Sequence, residues 1–336
     1  MPRIQSRRRF LATASLAGAS VVGAVGLTGV PRTAYAERLP ETSTVRIPKI
    51  PAACVAPLYV AKDLLHEEGF ADVRYVPSKI VSVGMLGTGE ADFSFESALD
   101  FLAPMDAGEP LTVLAGIQSG CFELIADDSI RGVPDLKGKS VGVSAVGASD
   151  HVLVSMMAAY VGLDPVADIT WVADPSVPQA DLFRAGKINA FLGFPPDPQQ
   201  PCMRNLGHVV VNTSHDPPWS QYFCCMLTAN AAFVRDNPVA TKRALRAFLR
   251  AADLCHKRPE WAAQRMVQEG FSYECALQTL KDVRYDLWRE YDPEDTVRFF
   301  ALRMHELGMI NATPHEIVSK FTDWRFIEEV KRELKG

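Results

Sequence analysis

Between residue 45 and about residue 215, short apolar runs alternate with stretches of helical periodicity, and beyond Asn230 only helical periodicity remains. Such a rhythm restricts the chain to an α/β fold in which strands and helices are interleaved. Strands are expected at Thr44–Ile50, Asp72–Val76, Ala91–Glu96, Leu111–Ile117 and Cys121–Asp128, the last extending away from a first lobe. After Pro134 a second unit is expected, with strands at Lys139–Ser144, Ile169–Ala173, Asn189–Phe194 and His208–Ser214; Tyr222–Ala229 would then run back to the first lobe. Pro57 opens a helix that Gly69 closes, and Ser149 is placed as the N-cap of a helix up to Leu163. In the helical tail Asn237 is expected to cap a helix burying Leu245, Phe248, Ala252 and Cys255, Pro259 starts another, and the last helix presents Ile327, Val330 and Leu334 on one face. The first lobe thus takes residues 44–128 and 228–336, and the second takes 134–222. Two crossovers, near Asp127–Val133 and Ser220–Thr228, make a hinge, and a ligand would lie between the lobes beside strand ends and helix N-termini.

Residues 1–36 read as an export signal rather than as part of the fold. Arg7-Arg8-Arg9-Phe10-Leu11 precedes an apolar stretch reaching Val30, and Ala34-Tyr35-Ala36 has the small-x-small form of a cleavage site. Paired arginines ahead of Phe10-Leu11 indicate the twin-arginine route. The stretch is rich in Ala, Gly, Ser and Thr, a poor permanent membrane span, and no Cys closes it, which disfavours a lipid anchor. Cleavage near Ala36 would leave a soluble periplasmic protein. It would also take five arginines and no acids from a chain of formal net charge −5, and a body that acidic is no partner for nucleic acid.

Motif chemistry is sparse. The seven cysteines are odd in number and widely spaced, with no CxxC pair, so neither a disulfide framework nor a zinc finger is expected. Neighbouring side chains on a strand point to opposite faces, so Cys224 and Cys225 are taken as buried apolar cysteines without a shared metal or a mutual disulfide. His151 and His215 could join Cys224 at a metal, but no ligand spacing supports it. Gly132 and Gly138 have five residues between them, one too many for a phosphate-cradling P-loop, and neither HExxH nor GxSxG occurs.

Three stretches resemble a known family. Gly89–Gly116 is similar to the "GEADF…G-P-(apolar run)" region of nitrate, sulfonate, taurine and pyrimidine-precursor binding proteins. Val133–Val143 resembles their "DLKGK-x-(V/I)-GV" entry to the second lobe, and Asp181–Asp197 their "L-x-x-G-x-(I/V)-D-A" stretch with a Pro-containing loop, Asn189 replacing the usual Asp. The order holds over roughly residues 45–260. The resemblance implies the type II periplasmic binding protein fold, an ABC permease as partner and no cofactor.

It also implies a set of cleft positions. These are Cys54-Val55-Ala56, Glu96 and Ser97, Gly120-Cys121-Phe122, the turn Ser144, Gly147, Ala148, Ser149 and Asp150, then Asp174, Phe194 and Asp197, and finally Tyr222 and Cys224. Glu96, Glu123, Asp150, Asp174 and Asp197 fall at or near strand ends, whereas no Arg or Lys maps there. Acids with Phe122, Phe194 and Tyr222 suit an amine or amino-heterocycle that donates hydrogen bonds and stacks; a nitrate or sulfonate site would want a cation.

Three functions follow: a transport receptor without catalysis, an enzyme resembling the pyrimidine synthases of the same fold, and a periplasmic ligand sensor. The export signal and the absence of a catalytic constellation favour the receptor. Those synthases act inside the cell and carry a Cys-rich run that only Cys224-Cys225 echoes. Export is expected to depend on the paired arginines. Changing Arg7→Lys and Arg8→Lys together keeps the charge, and fractionated cells should then hold precursor in the cytoplasm; undiminished export would remove the twin-arginine reading.

Overall fold

In the computed structural model the chain divides into residues 1–37 and the unit Arg38–Gly336; the structure describes residues 37–78, 81–174, 176–195 and 206–334. The expected strands form. β1 (Thr44–Lys49), β2 (Asp72–Pro77), β3 (Phe93–Ser97), β4 (Leu111–Ser119) and β5 (Glu123–Ala126) alternate with α1 (Ala56–Glu67), α2 (Val83–Thr88) and α3 (Ala98–Asp106). β6 (Lys139–Val143), α4 (Ser149–Tyr160), β7 (Ile169–Ala173), α5 (Gln179–Arg184), β8 (Ala190–Gly193) and β9 (His208–Asn212) follow. β10 (Phe223–Asn230) leads into a helical tail: α6 (Ala231–Asp236), α7 (Pro238–Lys257), α8 (Pro259–Gln268), α9 (Tyr273–Asp282), α10 (Pro293–Glu306), α11 (Pro314–Phe321) and α12 (Arg325–Glu333).

Sheet order shows how the chain leaves and returns. β1 and β2 pair in parallel, β10 lies antiparallel between β3 and β4, and the second lobe has the five-stranded order β7-β6-β8-β5-β9. The two small sheets are joined where β1 meets the start of β3. Arg46 N donates to Asp92 Oδ2 at 2.7 Å, Asp92 N returns a bond to Arg46 O, and the Arg46 guanidinium clamps the same buried carboxylate. Because β5 is already in the five-stranded sheet, the chain crosses at residues 120–122, ahead of the expected 127–133. It returns over residues 213–222, slightly ahead of the expected second crossover.

The helical tail covers the first lobe. α7 buries Leu245, Phe248, Ala252 and Cys255 completely, and Phe248 packs edge-on against Phe93 and Phe95 with centroids 5.9 and 5.3 Å apart. Burying Leu245 or Phe248 away from water contributes about 1.5–3 kcal/mol each. Two expected caps are absent. Asn237 precedes Pro238 but turns its amide to Phe233 O, and Ser149 is the first residue inside α4, after Ala148. At the C-terminal end α12 buries Phe326, Ile327 and Val330, while Leu334 lies just past it and is half-buried.

The first crossing turns on Gly120. Its φ is +69°, and a Cβ there would stand 2.2 Å from Ser214 Cα on the returning segment. Glycine is therefore required twice, for a left-handed backbone and for close approach of the two crossing segments. Gly108 has φ +88° with nothing within 4 Å of its would-be Cβ. Gly108→Ala is accordingly expected to cost about 1 kcal/mol and Gly120→Ala about 2–4 kcal/mol. Denaturant midpoints of the two variants check this; equal losses would show that the contact with Ser214 adds nothing.

Candidate functional site

A cleft of about 620 Å³ lies between the lobes, at the ends of the strands that lead into and out of the crossings. On the first-lobe side β1 gives way to a single tight helical turn, Ala53–Val55, which lays Cys54 against the cleft floor. Tyr285, fully buried in the helical tail, holds that turn by donating to Cys54 O at 2.8 Å. Next along the floor is Glu96, on a strand buried on both faces. Ser94 Oγ donates to its Oε1 at 2.6 Å, Ser82 Oγ donates to the same oxygen, and the two serine hydroxyls lie 2.8 Å apart. Burial, reinforced by the charge of Asp100, raises the Glu96 carboxyl to about 8.

Asp100 stands one helical turn beyond Glu96. Ser97 accepts from Leu99 N at 3.2 Å and so starts α3, which aims Asp100 into the cleft. Its carboxylate accepts from Ser149 Oγ of the second lobe, and burial raises it to about 6 even though that bond pulls it down. The Asp100–Ser149 bond crosses the cleft, as does Ala53 N to Pro195 O at 3.4 Å. The serine expected as a cap is instead a latch between lobes, because its hydroxyl reaches a carboxylate 49 residues away rather than its own backbone.

On the second-lobe side Asp150 folds the turn before α4 around its own carboxylate. It accepts from Ser144 N at 2.6 Å, Ser144 Oγ at 3.0 Å and His151 N at 2.8 Å. Ser144, Ala148, Ser149 and Asp150 line the cleft; Gly147, at φ +90°, shapes the turn without lining it. Phe122 and Phe194 form an edge-to-face pair in the wall, centroids 6.3 Å apart. Among the described residues the cation that lines the cleft is Arg184 of α5, whose guanidinium is paired with Asp181.

Four cysteines meet at the floor. Cys121 of the outgoing crossing and Cys224 of the returning strand, 103 residues apart in sequence, are joined in a disulfide with their Cα atoms 6.4 Å apart. Cys225 Sγ lies 4.0 Å from Cys224 Sγ and accepts from Gln118 Nε2 at 3.5 Å. Its hydrogen bond with the Cys54 thiol, together with burial, raises the Cys225 thiol well above the usual range. Both cysteines of the adjacent pair line the cleft, against the expectation from strand alternation. The ladder between β10 and β4 slips on either side of Cys225, and such a bulge breaks the pleat that would send neighbours to opposite faces.

Of the sequence-derived candidates, Cys54, Val55, Glu96, Ser97, Cys121, Phe122, Ser144, Ala148, Ser149, Asp150, Phe194 and Cys224 line the cleft. Ala56 is buried in the core as α1 begins. Gly120 and Tyr222 lie beneath the floor, where Tyr222 stacks on Phe299 at 3.9 Å. Glu123 is bound to Asn212 Nδ2 at 2.8 Å, and Asp174 closes a surface turn by accepting from Ser176 N and Oγ. Asp197 lies outside the described residues. His151 packs on Trp171 at 4.5 Å, and neither it nor His215 joins a cysteine cluster among the described residues. Reading missed Asp100, Cys225, Gln179 and Arg184. Asp100 had a signal: with Ser97 starting a helix, the acid three positions on lies in its first turn beside the strand end.

The NMT1/THI5 like family model matches residues 53–262. Comparison with curated proteins gives no match. Among solved structures, the periplasmic nitrate-binding protein NrtA from Synechocystis PCC 6803 superposes with a TM-score of 0.73 at 18% identity, covering 88% of this chain and 90% of that one. The aliphatic sulphonate binding protein SsuA from Escherichia coli gives 0.64 at 17%, covering 81% and 89%. The alkanesulfonate-binding protein SsuA from Xanthomonas axonopodis pv. citri bound to MOPS gives 0.62 at 17%, covering 78% and 94%. The fold is thus that of the two-lobed periplasmic binding proteins.

The raised carboxyls make stability depend on pH. Glu96 has an ordinary value of 4.5 and about 8 when folded, so between those values the folded chain holds a proton that the unfolded chain has lost. Its contribution is complete below pH 4.5 and disappears as pH rises toward 8. Ligand-free protein should therefore lose stability from pH 5 to pH 8, and Glu96→Gln should flatten that slope and unfold at a higher temperature than the parent at pH 8. Parallel melting curves for parent and variant across that range would show that Glu96 does not hold the proton.

Proposed function

Because the chain belongs to the NMT1/THI5-like family, we propose that it is the exported solute-binding component of an ABC import system. It takes a small organic molecule into the interlobe cleft and passes it to a permease in the inner membrane. Residues 1–36 serve the twin-arginine machinery, and the mature protein works in the periplasm; among the described residues no helix is long and apolar enough to cross a membrane. The shared fold with nitrate- and sulphonate-binding proteins supports the role, and a cleft of about 620 Å³ suits a small molecule.

The ligand we propose is an amine or amino-heterocycle with a flat apolar part. The observation that carries this is the pair Glu96 and Asp100, two carboxyls facing one cleft, with Asp150 opposite; among the described residues the arginine that lines it is Arg184, which is ion-paired with Asp181. Nitrate or a sulfonate would meet acids here. A protonated nitrogen would meet hydrogen-bond acceptors that lie out of water, and Phe122 and Phe194 offer apolar wall for a ring.

Binding a cation beside Glu96 favours its ionised form and expels its proton. Calorimetry near pH 7 in buffers of different ionisation enthalpy should accordingly report close to one proton released per ammonium bound. A charge-assisted hydrogen bond is worth about 1.5–3 kcal/mol, so Glu96→Gln should weaken binding roughly tenfold to a hundredfold. A screen of amino-pyrimidines, aromatic amines, nitrate and sulfonates supplies the probes. Saturable binding of nitrate or a sulfonate with no binding of amines would overturn the amine assignment and leave the transport role standing.

A further inference from the structure

We propose that the sulfurs of Cys121, Cys224 and Cys225, with Cys54 beside them, form a binding site for a soft thiophilic metal ion at the floor of the cleft once the Cys121–Cys224 disulfide is reduced. The Sγ atoms of Cys121, Cys224 and Cys225 all lie within 4.8 Å of one another, and the Cys54 thiol is hydrogen-bonded to that of Cys225. A metal held at about 2.3 Å from each sulfur sets neighbouring sulfurs about 3.8–4.0 Å apart. Cys224 and Cys225 already stand at 4.0 Å. Only the bonded pair must move apart, and its Cα separation of 6.4 Å leaves room for side-chain rotation without moving the backbone.

The donor set determines the class of ion. Cys54, Cys121 and Cys225 are buried, Cys224 is 8% exposed, and no histidine joins them among the described residues. An all-sulfur, largely apolar site selects Cu(I) or Zn(II) over hard cations, which seek oxygen. The sulfurs of Cys121, Cys224 and Cys225 would satisfy Cu(I) in a plane, or three of the four positions of a Zn(II) tetrahedron. The bulge in β10 is what brings two adjacent cysteines to one face, and Gly120 is what lets the outgoing crossing approach closely enough for Cys121 to meet them.

The chemistry balances. An external dithiol gives two electrons and two protons to the Cys121–Cys224 bond and leaves as its own disulfide, and each sulfur that then ligates the ion releases one proton to solvent. The disulfide and the metal are thus alternative occupants of one floor. The site uses different atoms from the proposed amine contacts at Glu96 and Asp100 on the same floor, and metal binding and amine binding are read by separate titrations.

The test uses the mature full chain, reduced with a phosphine under anaerobic conditions and shown by mass to carry seven free thiols. Cu(I) and Zn(II) are each titrated in competition with a chromophoric chelator, and X-ray absorption reads the neighbours of the bound ion. One equivalent of ion with only sulfur in its first coordination sphere is expected. Cys121→Ser and Cys225→Ser should each weaken binding at least tenfold, whereas Cys255→Ala, outside the cleft, should leave it unchanged. Circular dichroism confirms that the variants fold. No binding by the reduced parent, nitrogen or oxygen ligands in the absorption spectrum, or undiminished binding by folded Cys225→Ser would each overturn the site.

Discussion

The insertion of β10 between β3 and β4 is the pairing on which the rest of the molecule depends. Every residue of Phe223–Asn230 is buried, and the strand holds partners on both sides, Met226 opposite Glu96 and Ala229 opposite Thr112. Without it β3 and β4 would be unpaired edges, and the second lobe would hang from the first by a single segment. With it the chain closes a circuit: out through residues 120–122, around the five-stranded sheet, and back into the middle of the sheet it left. A central strand has no freedom to slip where both faces are packed, so the return fixes where both crossings lie and hence where the cleft opens.

The same strand distributes the chemistry. Its ladder to β3 places Cys225 opposite Ser97, the residue that starts α3 and thereby turns Asp100 into the cleft. Its slipped ladder to β4 brings Cys224 and Cys225 to the same face. Acids and sulfurs therefore share one floor because they sit on adjacent strands of one sheet. Among the described residues the acids are supported by hydroxyls, Ser82 and Ser94 for Glu96 and Ser149 for Asp100. Hydroxyl donors satisfy a carboxyl without neutralising it, which is why burial dominates and both groups sit above their ordinary range.

The lobes touch through hydrogen bonds across the cleft and through apolar packing of α4, where Leu153 meets Leu99 and Phe300. Ser149 donates to Asp100, and Ala53 N donates to Pro195 O. Both are hydrogen bonds across the cleft, worth about 1.5–3 kcal/mol for the one to the Asp100 carboxylate and about 0.5–1.5 kcal/mol for the backbone one. Hydrogen bonds of that size can be shifted by the contacts a ligand adds, which is the energetic condition for closure around it. A thermal hinge needs a rigid base as well, and Gly120 packed against the Ser214 backbone supplies one where the two crossing segments pass each other.

How much of this was present in the sequence follows from the range of each interaction. Strands and helices were legible almost element by element, because apolar periodicity and the backbone limits of Pro57, Pro238 and Gly69 act within a few residues. That the chain alternates strands with helices and then ends in helices alone was legible too, whereas the outgoing crossing lies at residues 120–122 rather than at the expected 127–133. Cap chemistry was less so: Ser149 and Asn237 stand at helix starts, yet their side chains found other partners in the folded chain. The sequence determined the fold class, the elements and the region of the cleft. Tertiary structure alone decided that Asp100 meets Ser149, that Tyr222 and Asp174 face away, and that Cys54, Cys121, Cys224 and Cys225 converge. Those contacts join residues tens to more than a hundred positions apart, through a strand bulge and a glycine crossing that no local periodicity records.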